Sequence, residues 1–206
     1  MSETPELPRD AGSVAASHTS LSLLERLRGN DPEAWRRLVA LYGPLVLFWG
    51  RRGGLSEEDA ADLLQDVFRS VTGAIGRFRR DRPGDTFRGW LWSIARNKLR
   101  DHFREREREP VAAGGSEALA RFTQIPDEEP DSAADSEPSQ GLLRRALDLV
   151  RDGFEEPTWQ AFWQTTVDGR SPTEVAAALG VGLASVYQAK SRVLRRLREE
   201  LGGVLD

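Results

Sequence analysis

The sequence predicts an all-α protein of two small helical modules joined by an acidic flexible linker. Three observations carry this. Apolar residues recur at three- and four-residue spacings in both halves, with no alternating run that would mark a strand. Ser, Thr or Asp precedes several of these runs and Gly follows them, the residues that start and stop helices. Between the halves, residues 110–140 hold prolines, small residues and a net charge of about −6, the composition of a tether and not of a core. The chain has 206 residues, of which 39% are hydrophobic; that is thin for one large core and adequate for two modules.

Residues 1–18 are polar, show no apolar period and read as a disordered tail. The first module spans 19–109. Thr19 or Ser20 caps a short helix with Leu21, Leu23, Leu24 and Leu27, ended by Gly29. Asp31-Pro32 opens the next helix, whose broad stripe includes Trp35, Leu38, Tyr42, Leu45 and Trp49; Gly43-Pro44 predicts a kink and Gly50 to Gly54 an end. Ser56 caps a third, with Ala60, Leu64, Val67 and Val71 inward, Leu63 and Phe68 flanking, and Asp62, Gln65, Asp66 and Arg69 outward. After the turn RDRPGD, Asp85 or Thr86 caps a fourth helix. There Arg96, Arg100 and Arg104 fall in one row with Ser93 and Asn97 beside it, while Leu91, Ile94, Ala95 and Leu99 fall on other sides, most of them forming an apolar stripe. An arginine row with an amide suits docking on a nucleic acid; a solvated charged face is the plain alternative.

In the linker, Leu119, Phe122 and Ile125 are incidental or a short contact on a partner. The second module spans 141–201. Leu142, Leu143, Leu147 and Val150 mark one helix; Phe154, Trp159, Phe162 and Trp163 mark another, opened at Glu155-Glu156-Pro157. Ser171-Pro172 with Glu174 makes a capping box, and Gly180 ends a short helix bearing Val175, Ala176 and Leu179. A three-residue turn leads to a longer helix from about Ala184, with Val186, Ala189, Val193 and Leu197 inward. This is the layout of a helix-turn-helix. Ser185, Gln188, Ser191, Arg192 and Arg195 cluster outward, the early residues toward base edges and the arginines toward phosphates. Tyr187 stacks on a sugar or methyl, or merely packs at the helix edge.

Composition removes several classes of function. With no Cys and only two His, there is no disulfide framework, thiolate nucleophile or histidine-rich metal site. No phosphate-cradling glycine loop or paired catalytic group is present, so no enzyme and no cofactor is expected. No membrane-spanning run or leader pattern appears, which makes the cytoplasm the expected address. The overall charge of −4 conceals a partition: residues 77–108 carry an excess of about six bases.

Three segments, in order and spacing, resemble the extracytoplasmic-function (ECF) sigma factors of the sigma-70 family: DAADLLQDVF at 59–68, FRGWLWSIARNKLRDHFR at 87–104, and SPTEVAAALGVGLASVYQAKSRVLRRLREEL at 171–201. The resemblance identifies 19–109 with the family's region 2 and 141–201 with its region 4. It implies that Asp62, Gln65 and Asp66 contact the beta-prime coiled coil of core RNA polymerase. It implies that Arg96, Asn97, Arg100 and Arg104 lie along the −10 element, with Asn97 and the loop Arg82 to Phe87 holding an extruded base. Trp90 or Phe87 then supplies a stacking surface, unless Trp90 is core. Ser185, Tyr187, Gln188, Ser191, Arg192 and Arg195 become the −35 readers, in a module that also meets the beta flap. Tyr187, Gln188 and Ala189 are less typical of the family there. The linker would thread polymerase channels, its acids imitating a phosphate backbone. An anti-sigma factor or other regulator is a further implied partner, with no membrane insertion. The rival reading is a stand-alone helix-turn-helix regulator, which would bind a two-fold symmetric site without polymerase.

Overall fold

The computed structural model describes residues 22–108 and 137–205, which form eight α-helices and one 3-10 turn. The tail at 1–18, the Thr19 and Ser20 caps, and the linker through residue 136, with Leu119, Phe122 and Ile125, lie outside the described residues. The all-α class holds for the described residues.

Helix α1 is Leu23–Arg28, and its cap is Ser22, whose hydroxyl accepts from Glu25 N–H while Glu25 accepts from the Ser22 N–H at 2.8 Å. That reciprocal capping box sets the start of the described helix at Ser22. Helix α2, Pro32–Arg52, carries Pro44 inside it and ends at Gly53, within the expected Gly50 to Gly54. Helix α3, Glu57–Ala74, starts at Ser56 and buries Ala60, Leu63, Val67, Phe68 and Val71. Leu63 and Phe68 therefore belong to the core, and Leu64 sits at its margin. A 3-10 turn, Ile75–Arg77, leads toward α4, Phe87–Arg108. Trp49 of α2 meets Trp92 of α4 edge-on, centroids 5.2 Å apart, and fastens the middle of the bundle.

Helix α5, Glu137–Arg151, begins four residues before the expected module boundary. Glu137 in its first turn and Pro138 at its second position are good starters, so residues assigned to the linker are helical. Its buried stripe is Leu142, Ala146, Leu147 and Val150, while Leu143, one of the residues that mark the helix, is 51% exposed. Helices α6, Glu156–Thr166, α7, Pro172–Leu179, and α8, Leu183–Leu201, complete the second module. Gly180 ends α7 in the left-handed conformation, φ 65°, where other residues are strained. A small core of Ala161, Val175, Val186 and Ala189 holds α7 across α8.

The two modules share one continuous core. Helix α5 lies on α2, where Arg145 Nε donates to the Leu41 carbonyl at 2.8 Å. Arg88, near the start of α4, donates to Ser139 Oγ at 2.7 Å. At the far end Arg37 pairs with Glu200 at 3.2 Å, and the Tyr42 hydroxyl donates to the Val204 carbonyl. Gly203 lets the chain pass there: at φ +93° a Cβ would meet Leu24 Cδ2 at 2.8 Å. No described helix is long and apolar enough to cross a membrane.

Candidate nucleic-acid and polymerase interface

The RDRPGD turn is closed by Asp85, whose carboxylate accepts from the N–H groups of Asp81 at 3.1 Å and Arg82 at 2.9 Å. Thr86 then caps α4, its hydroxyl accepting from Gly89 N–H at 2.9 Å. The two candidate caps thus divide the work. Arg82 stands exposed in the turn.

Phe87 is fully buried. Its ring lies 5.2 Å from Tyr42 and 5.4 Å from both Phe78 and Trp90, centroid to centroid. A base cannot reach it, which corrects the stacking role expected of Phe87: it is a buttress. Trp90 is half-buried on that cluster, 4.8 Å from Phe78, and keeps part of its indole at the surface.

Along α4, Trp90, Asn97 and Arg104 stand at i, i+7 and i+14, so they form one line with two turns between neighbours. Asn97 and Arg104 are exposed, and Arg104 reaches Asp101 at 3.8 Å. Ser93, also exposed, turns its hydroxyl onto the Trp90 carbonyl at 2.6 Å. Arg96 and Arg100 are half-buried at the flank, so the arginine row presents its exposed end at Arg104. The opposite side buries Leu91, Trp92, Ala95, Leu99 and Phe103, with Ile94 half-buried.

On α3, Asp62 and Gln65 are exposed, and Asp66 bonds Arg69. Asp66 lines a shallow depression with Lys98, His102 and Arg104 of α4, so the acidic face and the α4 face adjoin. Asp59 ties the two helices: Arg106 approaches it at 3.4 Å. Its bond from the Ser56 hydroxyl holds its carboxyl below the ordinary range, burial opposes this, and His102 and Arg106 add to the lowering. Phe78 and the Asp59–Arg106 pair support the face without any periodic signal in the sequence that marks them.

On α8, Ser185, Tyr187, Gln188, Ser191, Arg192 and Arg195 are all exposed, while Val186, Ala189, Val193 and Leu197 are buried. Lys190, next to the buried arc, is exposed too. Arg192, Arg195 and Arg196 line a hollow beside the start of α6, with Glu155 and Thr158. Arg195 pairs with Glu199 at 3.7 Å.

Residues 38–109 match the family model for sigma-70 region 2. Over 201 residues the chain is 29% identical to the RNA polymerase sigma factor CnrH of Cupriavidus metallidurans, covering 97% of this chain and 96% of that one. It is 30% identical over 179 residues to the RNA polymerase sigma factor CarQ of Myxococcus xanthus, covering 87% and 95%. Among solved structures, CnrH in complex with the cytosolic domain of CnrY aligns with a TM-score of 0.35 and 24% identity, over 85% of this chain and 92% of that one. With 30% identity to CarQ over most of both chains, this protein belongs to the ECF group of the sigma-70 family, the RNA polymerase sigma factors.

Proposed function

We propose that this sigma subunit docks on core polymerase through α3 and opens promoter DNA along α4. In this reading Asp62, Gln65 and Asp66 meet the beta-prime coiled coil, α8 reads the −35 element, and its module meets the beta flap. The line Trp90–Asn97–Arg104 carries the proposal. Opening a duplex without ATP requires that binding of unpaired bases offset a few kcal/mol of unstacking. Trp90 offers a π face braced from below by Phe87 and Phe78. Exposed Asn97 offers an amide donor and acceptor to an extruded base, and Arg104 a cation for the backbone. Arg82 stands exposed in the turn that leads into α4. The flanking Arg96 and Arg100 extend the positive potential.

Residues 19–109 and 141–201 then act as the two DNA-reading domains, and the acidic linker passes through channels of the polymerase. The chain works in the cytoplasm, without a cofactor or catalytic activity of its own, under an anti-sigma factor or other regulator. The relatives do not favour a stand-alone regulator, each being named a sigma factor.

Reconstituted transcription tests this. Core polymerase with the chain should start at promoters that core alone ignores. Replacing Asp62, Gln65 and Asp66 by Ala should abolish core binding and leave the circular dichroism spectrum unchanged. A free protein that footprints a palindrome, with no start sites in the presence of core, would overturn it.

A further inference from the structure

The recognition helix carries an apolar pair that the core does not use. Among the described residues only five large hydrophobic side chains are exposed, and two of them, Leu183 at 44% and Tyr187 at 57%, sit at i and i+4 on the first turns of α8. Side chains at that spacing are neighbours on one face. They are not core residues turned outward by accident of register, since Val186, Ala189, Val193 and Leu197 of the same helix fill the core completely. Tyr187 is the more exposed of the two and stands free of the core cluster.

The surroundings select the occupant. Next to the pair on the helix surface stand Gln188 and Ser191, with Arg195 a turn beyond, all exposed. A face that begins apolar, continues with an amide and a hydroxyl, and ends in arginines has the order of contacts of a helix entering a major groove: base edges first, phosphates after. The apolar feature in that groove is the thymine 5-methyl group. We propose that Leu183 and Tyr187 are specificity-determining residues that read thymine methyls in the −35 element. This rests on α8 being the −35 reader. Leu183, the first residue of α8, contacts a methyl from the end of the helix, and the Tyr187 ring covers the neighbouring one a turn later. The preference produced is for thymine over cytosine at adjacent positions, which neither Gln188 nor the arginines supply.

The test compares thymine with deoxyuridine, which lacks only that methyl. Full-length chain loaded on core polymerase selects promoters from duplexes randomised over the −35 element. Each selected thymine is then replaced singly by deoxyuridine, and holoenzyme binding is measured. One or two positions should lose about fourfold, the size of one buried methyl. Leu183→Ala and Tyr187→Ala should each remove the sensitivity at a different position while retaining binding to core. Deoxyuridine tolerated at every position refutes the proposal, and needs no variant. Sensitivity unchanged in both variants also refutes it, as does loss of core binding in either, which would assign the pair to a protein surface. Equal binding to every −35 sequence would instead overturn the assignment of α8 as reader, and the proposal with it.

Discussion

Phe87 and Asn97 show what separates a site from its support on one helix. Phe87→Ala should cost about 3–5 kcal/mol of stability, because the ring fills a cluster between Tyr42, Phe78 and Trp90. Asn97→Ala should leave stability within about 0.5 kcal/mol, since the side chain is exposed, yet slow promoter opening severely. Urea unfolding and a permanganate footprint of the opened bases distinguish the two outcomes. Asn97 was legible in the sequence because its offset from the apolar stripe alone puts it outward. The burial of Phe87 was not. A residue at the first position of a helix is held by whatever precedes it, and here Phe78 arrives from beyond the turn to close over it.

At the scale of elements, most starts and stops follow from local chemistry. Ser56, Ser171 and Gly180 act within a few residues of themselves, and those assignments needed no tertiary information. Helix α5 departs from this rule: its early start and its buried Ala146 beside an exposed Leu143 depend on the surface of α2 against which it rests. The α3 cap makes a pH prediction. Asp59 has a lowered folded pKa, chiefly through the Ser56 hydroxyl. Its stabilising contribution is therefore present above the unfolded value of about 3.8 and is lost as pH falls through the folded value. Ser56→Ala should cost about 1 kcal/mol at pH 7, and the gap from the wild type should narrow by pH 3. Denaturant titrations at the two pH values, followed by circular dichroism, read this directly.

At the scale of the molecule, nothing local foretold that the modules share a core. Arg145 on Leu41, Tyr42 on Val204 and Arg37 on Glu200 join residues more than a hundred positions apart, and their pairing is set by shape and not by period. A body of this size is about 40 Å across. The proposed −10 and −35 elements lie about 25 base pairs apart, about 85 Å along a duplex. The closed chain cannot touch both. The segment from Arg108 to Glu137 spans at most about 100 Å when fully drawn out, so it permits separation of the modules with little to spare. Gly203→Ala, at φ +93° and against Leu24, should weaken the closure without entering the core of either module. Dyes on α3 and α7 should then move apart in the free variant, as they should in wild type on adding core polymerase. Unchanged energy transfer in both would mean that the closed body persists on the enzyme.

The clasp of Tyr42 on Val204 also has a consequence for numbers in the cell. A free chain held shut in this way has an apparent affinity for a two-element promoter reduced to whatever fraction of it stands open. Core polymerase, if it binds only the open form, acts as the effector that repopulates it. On that condition a promoter would compete for a species whose abundance the enzyme sets, and footprints of the free chain should be weak until core polymerase is added.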